Sequence, residues 1–400
     1  MERLAKRVAG FGTSIFTEIT ALAVQLNAVN LGQGFPDFAG PEFVKQAAAA
    51  AIAADHNQYA AAPGLPRLRQ AVAAQWQRDH GHEIDWASEV TVTSGATEAL
   101  CDAMLALLNP GDAALFFEPA YDAYLPDVTL AGGVAVPVRL HPPDPQAAAG
   151  GMGRRSDAWW FEPQELHDAF ARRPKVLLLN SPHNPTGKVF DRAELELIAA
   201  LCREYDVVAV TDEVYDRLTF DGTVHIPLAT LPDMWQRTLT LNSAGKTFSV
   251  TGWKIGYAVG PAHLNHALRQ AHQWVTFATA TPLQDATAAA IEAAATNGYY
   301  QQFQAEYDER RRLLADVLDE AGLPRLPCQG SYFLSADISA LGYTDDRAFC
   351  RYLVTEVGVA AIPTSVFYVE PTDAPPLARF CFAKHLTTIA AAGERLRQLR

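Results

Sequence analysis

One short segment of the chain contains two lysines at a spacing that suggests chemistry. It reads NSAGKTFSVTGWKIG, spans residues 242–256, and places Lys246 after Gly245 and Lys254 eight positions later. Gly-Lys-Thr is also the end of a phosphate-binding P-loop. That loop needs a further glycine five positions before Gly245, so that the backbone can wrap the phosphates. This chain has Thr240 there. The sequence therefore argues against a P-loop NTPase and leaves Lys246 as a candidate for covalent chemistry.

A second glycine motif also fails to predict a nucleotide site. The segment GQGFPD at residues 32–37 begins like a dinucleotide-binding fingerprint. Asp37 stands where the third glycine belongs, and no strand pattern precedes the segment. We therefore do not predict a dinucleotide cofactor.

Polar side chains follow several apolar runs of the kind that form buried strands. Asn180 ends KVLLLN, Asp212 ends VVAVTD, and Ser243 follows TLTLN. Residues 95–97 follow VTVTS and open a helix, whose free N–H groups favour an anion. Each of these features alone is typical of a cap, a turn or a solvated charge. In open α/β sheets, however, ligands bind beyond the carboxyl ends of the strands, so the arrangement predicts one site.

The elements that would position this site alternate along the middle of the chain. Near-continuous apolar runs at 175–180, 207–212 and 238–242 are typical of strands buried on both faces, and residues 192–205 have a helical pattern. Strand, helix and strand at this spacing predict a mainly parallel sheet covered by helices. After residue 280, long helical patterns and short strands predict a smaller α+β part.

Composition restricts the class of protein. The 400 residues are 49% hydrophobic and 19% charged, with a formal net charge of −13. This charge argues against binding to nucleic acid or to a membrane surface, both of which require clustered positive charge. The five cysteines are scattered, form no Cys-x-x-Cys and predict a reducing cytoplasm, with neither a disulfide framework nor a metal site. We find no signal-peptide pattern and no apolar run of membrane-spanning length.

The motifs together resemble the class I, fold-type I aminotransferases, which use pyridoxal phosphate (PLP). The resemblance extends from about residue 30 to 385, and it is closest to the kynurenine/glutamine transaminase and methionine aminotransferase branch. The matching segments are NLGQGFPDF, QYAAAPGLPRLR, VTSGATEAL, EPAYDAY, NSPHNPTGKVF, TDEVYD, SAGKTFSVTGWKIGY, QGSYFL and RFCFAK.

The resemblance implies a domain arrangement. A large PLP-binding domain at residues 41–284 would contain a mainly parallel seven-stranded sheet covered by helices. A smaller α+β domain would comprise residues 285–400, and the N-terminal segment, residues 1–40, would join it.

It also implies roles for the residues around the cofactor. Lys246 would bind PLP as a Schiff base and then, once free, serve as the base that moves the substrate's α-proton. A lysine near its ordinary pKa of about 10.4 would be a poor base at neutral pH, so the site must lower that pKa. Asp212 would pair with the pyridinium nitrogen and keep it protonated. Asn184 and Tyr215 would donate hydrogen bonds to O3′, and Tyr121 would stack on the ring.

The cofactor phosphate would lie at the helix start at residues 95–97. Gly95, Ala96 and Thr97 would offer backbone N–H groups, and Ser243 would add a hydroxyl. Lys254 would add a charge where much of the wider class has arginine. A lysine carries a point charge, whereas an arginine offers two parallel N–H donors. Lys254 would therefore still contact the phosphate, but with a less fixed geometry than an arginine.

Substrate binding and dimerisation are implied in the same way. Arg379, with Asn184 and the backbone near Gly34, would bind the α-carboxylate through a paired, charge-assisted contact. Phe16 would contact the substrate side chain. In a homodimer with shared active sites, Tyr59 would reach the partner's cofactor phosphate, and Phe277 would line the partner's substrate pocket.

The predicted activity is ping-pong transamination between an L-amino acid and a 2-oxo acid, with methionine, glutamine, aromatic or kynurenine-like donors. β-Elimination from cysteine conjugates starts with the same proton removal and stays open from sequence alone. An aspartate-type specificity is less favoured, since no second arginine can be assigned to a side-chain carboxylate. A cofactor-binding sensor fused to a DNA-binding module is also less favoured, because the motifs begin by residue 30.

Overall fold

The computed structural model describes residues 4–399 and contains three sheets. Its strands are β1 Val29–Asn30, β2 Val90–Ser94, β3 Ala113–Glu118, β4 Val134–His141, β5 Trp160–Phe161, β6 Val176–Asn180, β7 Val208–Asp212, β8 Thr238–Ser243, β9 Ile255–Val259, β10 Phe333–Asp337, β11 Val359–Ala360, β12 Ile362–Pro363 and β13 Leu377–Cys381.

The helices lie between these strands and at both ends of the described chain. They are α1 Lys6–Ala9, α2 Ile15–Gln25, α3 Glu42–Ala53, α4 Pro66–His80, α5 Trp86–Glu89, α6 Gly95–Leu107, α7 Tyr124–Leu130, α8 Pro163–Ala171, α9 Arg192–Glu204, α10 Ala244–Thr247, α11 Ala262–Val275, α12 Thr281–Ala294, α13 Tyr299–Glu320, α14 Asp346–Tyr352 and α15 Leu386–Leu396. Among the described residues, none of these helices is both long enough and apolar enough to cross a membrane.

The large sheet has the strand order β2-β9-β8-β7-β6-β3-β4-β5. Strands β8, β7, β6, β3 and β4 run parallel, whereas β9 is antiparallel to both of its neighbours. The predicted mainly parallel sheet is therefore confirmed. Its strand number differs from the predicted seven, because the two-residue strand β5 pairs antiparallel with the end of β4 and is fixed there by stacking of Trp160 on His141.

Helices cover both faces of this sheet, as the apolar strand sequences predict. Along β6, the side chain of Leu178 packs into the same cluster as residues of α6 and α11. Leu177 and Leu179 pack on the opposite face against residues of α8 and α9. Because successive side chains of a strand point to opposite faces, a strand that is apolar at every position must be covered on both sides.

A smaller antiparallel sheet, in the order β10-β13-β12, lies in the C-terminal part of the chain. Its core includes residues of α13 and α15. The N-terminal segment joins this part, since β1 pairs in parallel with β11. The domain boundaries at residues 40 and 284 stay a prediction.

Candidate active site

The carboxyl ends of β6, β7 and β8 meet at one edge of the large sheet and open onto a cavity of about 330 Å³. All of the predicted site residues line this cavity, except two. Those lining it are Phe16, Gly34, Gly95, Ala96, Thr97, Tyr121, Asn184, Asp212, Tyr215, Ser243, Lys246, Lys254 and Arg379. The sequence prediction of a single site at successive strand ends therefore agrees with the geometry.

Lys246 lies in the short helix α10, which begins directly after β8. The Ser243 hydroxyl caps this turn by accepting a hydrogen bond from the Gly245 N–H at 3.2 Å. Lys246 Nζ lies 2.7 Å from the Tyr332 hydroxyl and 3.2 Å from the Gly34 carbonyl oxygen. Burial lowers the pKa of Lys246 to about 8. The amine is thus much nearer to its uncharged, nucleophilic form at neutral pH than an exposed lysine is.

The Asp212 carboxylate is buried at the end of β7. It accepts a hydrogen bond from the Tyr124 hydroxyl at 2.8 Å. Burial raises the pKa of Asp212 to about 6, although the bond from Tyr124 and the charge of Lys246 oppose this rise. Within residues 4–399, no lysine, arginine or histidine forms an ion pair with this carboxylate. A cationic N–H group bound in the cavity would therefore stabilise its ionised form.

A chain of amide hydrogen bonds joins the strand ends to the smaller sheet. Asn180 donates from Nδ2 to the Asp212 carbonyl at 2.8 Å, and its Oδ1 accepts from the Asn184 N–H at 2.7 Å. Asn184 Oδ1 then accepts from Arg379 Nη1 at 2.7 Å. All four residues are buried. The positions of the acid, the amide and the guanidinium are therefore coupled through direct contacts.

Arg379 lies on β13 and is only 1% exposed. Its guanidinium carbon lies 3.9 Å from the ring centroid of Phe333 and 5.3 Å from that of Phe16. In the described part of the chain, Nε has no hydrogen-bond partner, and no carboxylate pairs with the guanidinium. A buried cation without an ion-pair partner is costly. Arg379 is therefore prepared to bind an anionic group that enters the cavity.

The start of α6 forms an anion-binding turn beside Lys254. Gly95 has φ +73°, a backbone conformation that L side chains rarely adopt. Lys254 Nζ lies 3.5 Å from the Thr97 hydroxyl. Strand β9 approaches this turn so closely that a Cβ on Gly256 would lie 2.6 Å from the Ala96 nitrogen. The exposed N–H groups, the helix dipole and the lysine charge all favour an anion at this place.

Sequence reasoning missed several residues that the structure places here. Tyr332 contacts the lysine amine, Tyr124 contacts the Asp212 carboxylate, and Gly256 permits the close approach of β9. Asp122 also lines the cavity, where burial raises the pKa of its carboxyl. The motifs QGSYFL and EPAYDAY contain three of these residues, but no sequence pattern indicates which side chain they face.

Tyr59 and Phe277 lie outside the cavity of their own chain. Their rings contact each other at 5.7 Å between centroids, and the side chains are 87% and 47% exposed. Trp274, one turn earlier on α11, is also strongly exposed. Tyr59 and Phe277 thus form an exposed aromatic pair, and their contribution to a neighbouring site stays a prediction.

Comparison with known proteins identifies a family. The chain matches the family described as aminotransferase class I and II over residues 27–392. It is 40% identical to the methionine aminotransferase of Escherichia coli strain K12 over 388 residues, which cover 97% of this chain and 96% of that protein. It is 41% identical to kynurenine–oxoglutarate transaminase 1 of Homo sapiens, covering 98% of this chain and 97% of that protein.

Solved structures share the fold over the full length. The N-succinyldiaminopimelate aminotransferase from Mycobacterium tuberculosis superposes with a TM-score of 0.92 at 42% identity, covering 99% of this chain and 100% of that one. The methionine aminotransferase from Escherichia coli gives a TM-score of 0.91 at 38% identity, with 99% of each chain covered. The prediction of a fold-type I PLP aminotransferase is thereby confirmed.

Proposed function

The chain belongs to the class I and II aminotransferases, which are PLP-dependent transaminases, and we propose that it moves the amino group of an L-amino acid with a neutral, apolar or aromatic side chain to a 2-oxo acid. The reaction is ping-pong, since both substrates use one cavity in turn. Methionine, glutamine, aromatic and kynurenine-like donors belong to this class.

The observation that carries this proposal is the buried guanidinium of Arg379, which has no carboxylate partner in residues 4–399 and faces an aromatic wall. An α-carboxylate would supply the missing counter-charge. The adjoining walls include Phe16, Phe35 and Phe333, and no second arginine of the described chain lines the cavity. A substrate side chain would therefore meet apolar surface and the acidic Asp122.

The residues present fit PLP. The carboxylate of Asp212 has no cationic partner among the described residues and would hold the ring nitrogen, while Asn184 and Tyr215 would donate to the ring oxygen and Tyr121 would cover the ring. The turn at residues 95–97, with Ser243 and Lys254, would hold the phosphate. When bound, PLP supplies an electron sink that stabilises the charge left by the departing α-proton.

Lys246 would hold the cofactor covalently and, when free, carry the α-proton. The Tyr332 hydroxyl donates its proton to the Gly34 carbonyl oxygen, so its oxygen is left to accept from Lys246 Nζ. The Gly34 carbonyl is a second acceptor for the same amine. These two oxygens would orient the amine and stabilise its protonated form after proton transfer.

A panel of amino donors with one 2-oxo acid tests the proposed specificity. We expect methionine, glutamine, phenylalanine and kynurenine to give kcat/KM values well above that of aspartate. N-succinyldiaminopimelate belongs in the panel, because a relative at 42% identity carries that name. Preference for aspartate or for the succinylated donor would overturn the neutral side-chain assignment. Release of pyruvate and ammonia from cysteine conjugates, compared with oxo-acid-dependent turnover, measures β-elimination.

Replacing Arg379 with glutamine is expected to lower kcat/KM for the amino acid and for the oxo acid by about 100-fold or more, because two charge-assisted hydrogen bonds are lost. Arg379→Lys keeps the positive charge but loses the bidentate geometry, so its kcat/KM should lie between those of the wild type and of Arg379→Gln. Steady-state kinetics with both substrates measures the effect. Arg154→Gln, at an exposed arginine that pairs with Asp144, is the control. Unchanged kcat/KM values in Arg379→Gln would contradict the assignment.

The pH dependence of Lys246 provides a further prediction. An amine reacts with an aldehyde only as the free base, so covalent capture of added PLP by the cofactor-free protein should accelerate with pH and level off above about 8. Tyr332→Phe removes an acceptor of the ammonium form and should move the midpoint to lower pH by roughly one unit. Borohydride reduction followed by mass spectrometry at Lys246 measures capture, with Tyr343→Phe as control. A midpoint near the ordinary lysine value would contradict the burial effect.

We further propose a homodimer in which Tyr59 and Phe277 complete the partner's site. The exposed ring pair that they form supports this, since exposed aromatic surface marks interfaces. Sedimentation of the active enzyme should give twice the chain mass of 43.4 kDa, and an active monomer would overturn the proposal.

A cytoplasmic location is proposed from the five cysteines, none of which is paired, and cell fractionation tests it.

A further inference from the structure

A buried histidine behind the anion-binding turn makes hydrogen bonds through both ring nitrogens. The His272 side chain, on α11, is fully buried. Its Nδ1 lies 2.9 Å from Glu98 Oε1 and 3.6 Å from Asp102 Oδ2. Its Nε2 lies 2.7 Å from the Ala62 carbonyl oxygen. A carbonyl oxygen only accepts, so Nε2 carries a proton. The Glu98 carboxylate, when ionised, is also an acceptor and therefore favours a second proton on Nδ1.

The groups around His272 connect two parts of the proposed cofactor site. Glu98 lies in the first turn of α6 and accepts from the Ser94 N–H, at the entry to the anion-binding turn. Ala62 belongs to the same segment as Tyr59. The next residue, Pro63, accepts a hydrogen bond from the Val92 N–H of β2 through its carbonyl oxygen. The backbone of His272 also accepts from the Phe277 N–H at 2.9 Å. One side chain thus bridges the phosphate turn and the segment with Tyr59.

We propose that His272 is a positioning residue that is protonated at neutral pH, holds the turn at residues 95–97 in register with the Tyr59 segment and so slows the loss of PLP. This inference rests on the proposed placement of the cofactor phosphate at that turn. The cation would act through Glu98 and the Ala62 carbonyl, without contacting the cofactor.

Both the charges and the geometry favour a protonated imidazole over a neutral one that binds a metal ion. A neutral metal ligand needs a free nitrogen lone pair, whereas each ring nitrogen here faces an acceptor. Burial alone would lower the pKa of His272, but Asp102 and Glu98 raise it to about 9. Burial raises the pKa of Asp102 itself, and Asp127 and the Cys101 thiol interact electrostatically with Asp102.

Protonation of His272 can be measured directly in the wild-type holoenzyme. With ¹⁵N-labelled histidine, nuclear magnetic resonance should show both nitrogens of one imidazole protonated at pH 7, with no titration below pH 8. The signal is assigned by its absence in His272→Gln. An unprotonated Nδ1 or Nε2 at pH 7 would overturn the inference.

The second measurement is the rate constant for PLP dissociation from the holoenzyme, followed in the presence of an aldehyde trap. His272→Gln should release PLP roughly tenfold faster at pH 7.5, because a charge-assisted hydrogen-bond network is lost. The matched control is His225→Gln, which removes a partly buried histidine that contacts a carboxylate, Glu213, at 2.8 Å outside the cavity. In this control, the rate constant for PLP dissociation should stay within about twofold of the wild-type value. Equal rates in wild type and His272→Gln would overturn the inference.

The pH dependence gives the sign of the effect. The folded-state pKa of His272, about 9, lies above the ordinary value near 6.5, so its stabilisation is fully present below pH 6.5 and lost as pH rises through about 9. The rate ratio between His272→Gln and wild type should therefore fall towards one above pH 9. A ratio independent of pH would indicate lost packing alone and contradict the charged role.

A separate pair of variants tests the phosphate placement on which the inference rests. Ser243→Ala and Lys254→Gln should both accelerate PLP loss. If neither does, the placement of the phosphate is wrong. If both do and His272→Gln does not, only the role of His272 is wrong.

Discussion

Replacing Lys246 with alanine is expected to lower kcat for transamination by about 10³-fold or more, because a positioned general base contributes roughly 10²–10⁴-fold and the proposed function also assigns the binding of the cofactor to this amine. Among the described residues that line the cavity, the only other lysine is Lys254, which lies beside Thr97 at the anion turn. Tyr332 is the hydroxyl nearest to the amine, and burial raises its pKa well above the ordinary value.

The measurement is a single-turnover reaction of the PLP-loaded protein with an amino acid, followed by the cofactor's absorbance. PLP should still bind, since Asp212 and the anion turn remain in place. Lys45→Ala removes an exposed lysine that pairs with Glu42 and serves as the matched control. A small primary amine added to the Lys246→Ala variant should restore part of the rate if only the amine is missing. Wild-type turnover without such an amine would refute the assignment.

Replacing Asp212 with asparagine is expected to lower kcat by about 10²–10³-fold, with a much smaller effect on KM for the amino acid, because a preorganised charge acts mainly on the transition state. Asparagine has nearly the same shape and can still accept from the Tyr124 hydroxyl. The substitution therefore removes the charge while it keeps the packing. In the proposed placement of PLP, the ring nitrogen would then lose the group that favours its protonation.

Glu213→Gln is the matched control for this substitution. It removes the neighbouring carboxylate, which is also buried but binds His225 and Thr211 outside the cavity. We expect kcat in this control to stay within a few-fold of wild type. Steady-state kinetics at saturating PLP measures both variants. Equal losses of kcat in the two variants would contradict the specific role of Asp212, because any carboxylate near the end of the strand would then have the same effect.

The sequence predicts the catalytic edge of the sheet because the relevant information is local. Apolar runs that are covered on both faces identify the parallel strands, and the carboxyl ends of neighbouring parallel strands meet at one edge. Asn180, Asp212 and Ser243 are therefore placed together by strand pattern alone. The missing glycine at Thr240 likewise excludes the P-loop without any structure.

The same local reasoning fails where a contact joins distant segments. Tyr332 and Gly34 reach Lys246 from the C-terminal part and the N-terminal segment, and Arg379 reaches Asn184 from the smaller sheet. No spacing in the chain encodes these distances. The eighth strand is a similar case, since a two-residue pairing at a sheet edge depends on where a long loop returns.

By itself, then, the sequence determined the kind of fold and the residue types at the strand ends through their periodicity, and it indicated the cofactor class through its resemblance to a known family. Only the tertiary structure decided their chemical state. Burial lowers the pKa of Lys246 and raises that of Asp212, and it leaves Arg379 without an ion-pair partner among the described residues. Burial by itself would lower the pKa of His272, but two carboxylates and a carbonyl oxygen around the ring raise it instead. Solvation and charge pairing depend on which segments pack together, and that packing is not local in the chain.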